Sequence, residues 1–375
     1  MWESVWIRFY LKGMTMKRTI WLSVVLSGAL LLPLSSSQEH AEIPVKVTRV
    51  SERVLVLHGS YMENNVTAIA TDLGLVVVDS TGIPSTAKRM RDIIRREFGR
   101  DDFVFLINTH YHWDHRWGNM AFPETKTIAH EGCGPLMREN ESQMGRTIES
   151  FQRNLEESRR RLEGMAAGSD EEQKTRAFMA EVERAIADYS AGFRMLPPVI
   201  SFNDRMTLDL GDITLEMAYF GRSHSGTDIF IHIPQEGILL TGDIFLDGRW
   251  LPLFSAGGPL DIPRWIEVLD GFLGDDNIRQ VIPGHQHFWP RARLELWGDY
   301  IRNLWEGLKA AEQEGMTLDQ AIERFPLERP YMYLKKLGHD DRELQNFHER
   351  NIRAFWRQLV EPETGREDRL CPPAK

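Results

Sequence analysis

The chain has 375 residues, 42% apolar and 27% charged, the balance of an ordinary globular protein able to bury a sizeable core. Its net charge of −10 argues against nucleic acid as a partner, because phosphates would be repelled over most of the surface. Two cysteines, Cys133 and Cys371, exclude a disulfide framework and leave open whether the two pair.

At the N-terminus, Met16-Lys17-Arg18 precedes an apolar run from Ile20 to Leu32 and then Ser35-Ser36-Ser37. A basic segment, an apolar segment and a small-residue cleavage zone read as a secretory signal over residues 1–37, with translation starting at Met14 or Met16. The apolar run is short for a span of about 20 residues and no stop-transfer pattern follows, so no stable membrane anchor is expected after cleavage. The mature protein is expected to begin near Gln38 and to be periplasmic or secreted. Residues 1–37 hold four basic and one acidic residue, so their removal takes the net charge from −10 to −13.

Residues 45–80 read as hairpins, with strands Val54–Leu57, Val66–Ala70 and Leu75–Val78 and turns at Gly59, Asn64-Asn65 and Gly74. A helix is expected over 84–98, with Met90, Ile93, Ile94 and Phe98 inward. Phe103–Ile107 fits a buried strand. It runs into Thr109-His110-Tyr111-His112-Trp113-Asp114-His115, which packs four candidate metal ligands into six residues. Imidazole suits zinc and iron, and the adjacent carboxylate marks a hard or borderline divalent cation.

Residues 134–196 alternate Glu with Arg and carry apolar residues at helical spacing: Ile148, Phe151 and Leu155, then Phe178, Val182, Ile186 and Tyr189. Ala166–Asp170 breaks them into a helical hairpin with Ser169 or Asp170 as cap, and Pro197-Pro198 ends it. This segment reads as a packing or oligomerisation arm or as a lid. His224, Asp243 and His285 follow, the last two behind short apolar runs that end as strands would. Beyond residue 293 the chain turns helical, with a stripe of Leu296, Tyr300, Leu304 and Leu308 and a second helix capped by Thr317.

His110-x-His112-x-Asp114-His115, followed in order by His224, Asp243 and His285, resembles the ligand signature of the metallo-β-lactamase superfamily over roughly residues 45–300. The resemblance implies a four-layer αβ/βα sandwich: an α/β domain over 42–300 with the 134–196 helical insertion, and a C-terminal helical extension over 301–375. It implies that His110, His112 and His224 hold a first metal, that Asp114, His115 and His285 hold a second, and that Asp243 bridges them. Two Zn2+ per chain are expected, with iron or manganese as alternatives. The implied activity is hydrolysis of a small-molecule ester, thioester, lactone or β-lactam, in which a metal-bridging hydroxide attacks the carbonyl and Asp114 assists catalysis. An aspartate at position 243 looks more like glyoxalase II and lactonase-type members than the true β-lactamases. A mononuclear iron dioxygenase of sulfur compounds and a non-catalytic binding protein are the alternative classes.

The remaining candidates are outer contributors. Asp79, at the end of Leu75–Val78, is expected to orient ligands by hydrogen bonding, and Asp228 to do so for the His224 loop. His130 reads as structural, and His287 as a substrate or supporting contact. His58, His232, His339 and His348 read as ordinary core or surface residues. Trp113, Trp117, Trp250, Leu251, Phe254 and Trp289 flank the ligand motifs as pocket wall or core.

Overall fold

The computed structural model describes residues 45–59, 63–142, 144–246, 260–327 and 341–361. Alternate residues of the early strands go to opposite faces, and both faces are buried. In β2 (Val54–His58), Val54 and Val56 join one apolar cluster while Leu55 and Leu57 join another. In β4 (Gly74–Val78), Val76 and Val78 take the first face and Leu75 and Val77 the second. A period of two with both faces apolar puts the sheet inside the protein.

The first sheet runs in sequence order: β1 (Lys46–Arg49), β2, β3 (Asn65–Thr71), β4, β5 (Phe103–Ile107), β6 (Lys126–His130) and β7 (Ile200–Phe202). Its pairings are antiparallel up to β4 and parallel from β4 to β7. The second sheet contains β8 (Arg205–Asp209), β9 (Thr214–Tyr219), β10 (Ile229–Ile233), β11 (Ile238–Gly242), β12 (Gln280–Pro283) and β13 (Trp289–Pro290), neighbours in that order. Only β11 and β12 pair in parallel there.

The helices among the described residues are α1 (Pro84–Phe98), α2 (Trp113–Arg116), α3 (Cys133–Ser142), α4 (Met144–Leu162), α5 (Asp170–Ser190), α6 (Ile262–Gly274), α7 (Arg293–Gln313), α8 (Leu318–Arg324) and α9 (Asp341–Val360). Helix α1 starts on Pro84, whose missing N–H costs nothing at a helix start, and stops at Gly99 in the left-handed region. Its Met90 and Ile94 cover Leu55, Leu57 and Leu106 on the outer face of the first sheet. Between the sheets, Val54, Ile107 and Ile128 meet Met217, Ile231 and Leu240. On the far side, Trp265 of α6, Trp297 of α7 and Phe355 of α9 share a core with Phe230, Leu239 and Val281. The layers are therefore helix, sheet, sheet, helix, as the family resemblance implies, with two mixed sheets.

Three differences from expectation have physical causes. Asn64-Asn65 is no exposed turn: Asn65 opens β3, Asn64 bridges to His285, and both side chains are buried by their contacts with the β12 end. The insertion holds three helices, because α3 starts at Cys133 ahead of the expected hairpin of α4 and α5. Ser169 caps α5 by accepting from Glu172 N. Helix α7 runs through residue 300, so the boundary placed there falls inside a helix that buries its apolar side on the same core as the second sheet. Thr317 and Gln320 form a reciprocal capping box at α8. Among the described residues no helix is long and apolar enough to cross a membrane.

Candidate metal centre

The seven candidate ligands all lie just past the C-terminal ends of strands. His110 follows β5, and His112 is the N-cap of the short α2 that carries Asp114 and His115. His224 follows β9, Asp243 follows β11 and His285 follows β12. Strands from both sheets end at one edge of the sandwich, so residues 175 positions apart in sequence meet there.

Their ligand atoms form three overlapping groups, each with all atoms within 4.8 Å of one another: His110, His112 and His224; His110, His115 and Asp243; and Asp114, His115 and His285. His112 Nδ1 lies 3.0 Å from His224 Nε2, and His115 Nε2 lies 3.1 Å from His285 Nε2. Asp243 sits between the two sets. Its Oδ2 is 3.7 Å from His224 Nε2, 3.9 Å from His110 Nε2 and 3.2 Å from His285 Nε2, while Oδ1 is 3.3 Å from His115 Nε2. Asp114 Oδ2 lies 3.3 Å from His285 Nε2.

Outer hydrogen bonds decide which imidazole nitrogens face inward. Asp79 Oδ2 is 2.9 Å from His115 Nδ1, and the same carboxylate accepts from Thr109 N and Thr109 Oγ1, both at 2.8 Å. Thr109 Oγ1 in turn lies 3.1 Å from His110 Nδ1. Both rings therefore turn Nε2 toward the cluster. Asp228 gathers the His224 loop, accepting from Ser225 N at 2.7 Å, Ser225 Oγ at 2.7 Å and Ser223 Oγ at 3.1 Å. Beneath α2, Ser80 N donates to His115 O, and Ser80 Oγ donates to Asn119 Oδ1.

Burial and charge fit a cation. His110 Nε2 is buried and has no hydrogen-bond partner among the described residues, a costly state for a polar atom unless a ligand takes it up. Burial pushes His110 well below the ordinary histidine range, and burial with the nearby His224 takes His112 down to about 4. Burial also disfavours charge on His115 and His285, yet the carboxylates around them win: His115 rises well above its ordinary value and His285 to about 10. Asp114 and Asp243 are held below the usual carboxylate range, where the charges of His115 and His285 outweigh burial. Carboxylates gathered among imidazoles demand positive charge, which divalent cations supply in place of protons.

Several contributors lack a sequence motif. Asn64 Nδ2 donates to Asp114 Oδ2 at 3.2 Å and lies 3.4 Å from His285 Nε2. Asn65 Nδ2 donates to Pro283 O and Gln286 O at 3.0 and 2.8 Å, clamping the turn that carries His285. A Cβ on Gly284 would stand 2.1 Å from Asp243 Oδ1, so that turn requires glycine. Asp79, Thr81 and Gln286 all hold positive φ around the cluster, a concentration of strain typical of functional edges.

Other expected residues fall elsewhere. His130 stacks on Tyr219 with ring centroids 4.0 Å apart, and His287 is exposed. His58 pairs with Asn65, His232 with Glu216, and His348 with Tyr300. Trp289 is buried against α6 and α7, where the core takes it away from the cluster. Trp113 and Trp117 do border cavities beside His112 and Asp114. Cys133 is buried. His339, Trp250, Leu251, Phe254 and Cys371 lie outside the described residues.

Residues 62–285 match the family model of the Metallo-beta-lactamase superfamily. A metallo-beta-lactamase type 2 from Bacteroides fragilis is 26% identical over 99 residues, which cover 26% of this chain and 39% of that protein. The structure of an inverting sec-alkylsulfatase from a Pseudomonas species superposes with a TM-score of 0.61 at 16% identity, over 84% of this chain and 50% of that one. The matched part is thus half or less of each relative's own length.

Proposed function

The chain belongs to the metallo-beta-lactamase superfamily, and from that premise we propose that it is a dinuclear zinc-dependent hydrolase of a carbonyl bond. The observation that carries this reading is the convergence of seven ligand side chains in overlapping groups, with Asp243 reaching both. We assign His110, His112 and His224 to a first metal, Asp114, His115 and His285 to a second, and Asp243 to both, with iron or manganese as alternative occupants. Divalent cations held by these residues would supply an activated water and polarise the oxygen of the scissile bond.

The protein's own residues supply the rest. Asp79 and Thr109 fix the rings of His115 and His110, so the donors are in place before substrate arrives. Asn64 donates to Asp114 Oδ2 and holds that carboxylate at the centre, where it would take the proton of the attacking water and pass it to the leaving atom. A small-molecule substrate, export to the periplasm or beyond, and self-association through the insertion complete the proposal.

Metal analysis of the purified mature chain, beside a hydrolysis screen, tests it. About two zinc per chain with turnover of thioesters, lactones, aryl esters or nitrocefin is expected. About one iron with oxygen consumption would replace it with a dioxygenase, and failure to retain metal after reconstitution with a binding protein. Secondary alkyl sulfates belong in the screen because the Pseudomonas relative is named for them; turnover of sulfates alone would refute carbonyl hydrolysis.

A further inference from the structure

Trp113 and Asp114 line two cavities, one almost wholly apolar and one of mixed lining. The first, about 190 Å³, lies under the helical insertion, where Ile83, Phe151, Phe178, Val182 and Ala185 give it an apolar wall, Asn154 and Glu181 add polar groups at its margin, and Asp114 stands at its inner end. The second, about 350 Å³, has Trp117 on one side and Tyr111, His112, Asn140 and Thr147 on the other, and these four offer hydrogen-bonding groups. The apolar wall is firmly seated. Asp188 accepts from Ser85 N at 2.8 Å, Tyr189 Oη donates to Gly82 O, and the Tyr189 ring meets Trp117 at 4.4 Å.

A substrate bond held over the cluster has two sides, and each cavity suits one. The leaving atom departs with developing charge, which polar groups can solvate and an apolar wall cannot. The acyl side carries no such charge and gains from leaving water. At roughly 30 Å³ per water-sized atom, the apolar cavity holds about six non-hydrogen atoms.

We propose that the substrate joins an apolar acyl group of about six carbons, seated between Trp113 and helices α4 and α5, to a polar leaving group seated beside His112. This rests on the carbonyl-hydrolase reading above. Water adds to the acyl carbon and the bond from that carbon to the leaving oxygen, sulfur or nitrogen breaks. The leaving atom takes the proton water gives up, so a carboxylic acid and an alcohol, thiol or amine result without oxidation or reduction.

The experiment uses the zinc-loaded chain and N-acetylcysteamine thioesters from acetyl to decanoyl, so that the leaving group stays constant. The expected kcat/KM rises about fourfold per methylene up to hexanoyl and then levels or falls. Ala185→Leu moves the maximum to shorter chains and Phe178→Ala to longer ones, opposite shifts that general misfolding cannot produce. Calorimetry with the products is the second readout, with hexanoate expected to bind at least tenfold more tightly than acetate. Equal efficiency on acetyl and hexanoyl thioesters, or a maximum that neither variant moves, overturns the acyl subsite and leaves hydrolysis standing. If no acyl substrate is turned over while hexanoate still binds preferentially, the apolar subsite holds and carbonyl hydrolysis falls. Equal binding of the two acids overturns the subsite.

Discussion

Asp243 presents Oδ2 to His224, His110 and His285 and Oδ1 to His115, so one carboxylate touches both ligand sets. A carboxylate so placed would hold two cations close against their repulsion. Asp243→Ala is therefore expected to weaken the second metal more than the first. Three imidazoles remain for the first, while the second keeps two imidazoles and a carboxylate already committed to Asn64. Asp243→Cys should keep partial zinc occupancy, since a thiolate binds zinc well but bridges poorly. Metal stoichiometry and turnover in the three proteins decide this; two tightly bound metals with normal turnover in Asp243→Ala would show a merely structural aspartate. Asp79 acts one step further out, through His115 Nδ1 and Thr109. Asp79→Asn should lower metal affinity by about 10- to 100-fold with the fold intact, which a zinc-chelator competition with circular dichroism would measure.

At the scale of elements, the sequence reveals whatever is local and periodic. Strands β2 to β5 follow from short apolar runs between turn residues, helix α1 from the spacing of Met90, Ile93, Ile94 and Phe98, and the start of α8 from the Thr317 cap. The HxHxDH cluster and the later ligands are legible because metal chemistry restricts residue type. Asn64 and Asn65 are not, because asparagine pairs are common in turns and only the approach of β12 buries them. Gly284 is equally silent until Asp243 is seen against it. Trp289 sits close to His285 in sequence yet faces the helical layer, since β13 turns back along β12. Elements remote from the cluster should separate stability from metal binding. Thr317→Ala removes the acceptor for Gln320 N and is expected to cost about 1 kcal/mol, seen as a lower denaturant midpoint. Altered metal content in that variant would contradict the separation.

For the whole molecule, the question is whether metal holds the sandwich together or only finishes its edge. The inter-sheet core, from Val54 and Ile107 to Ile231 and Leu240, and the layers under α1 and under α6 and α7 are built by apolar side chains. The ligands stand past the strand ends, on loops and on the short α2, pinned by Asp79, Asn65 and Asp228 through bonds that need no cation. Removing metal should therefore leave the secondary structure in place. It should still lower thermal stability, because metal binds the folded state and a preformed cluster is absent from the unfolded chain. With free zinc a thousandfold above its dissociation constant the linkage is about 4 kcal/mol, and for a chain of this size that is on the order of 10 °C in Tm. Chelation followed by far-ultraviolet circular dichroism and a thermal scan measures both effects. A folded apo spectrum with a lowered Tm that zinc restores is expected, whereas loss of the spectrum on chelation at room temperature would make the metal structural and refute this division between sandwich and edge.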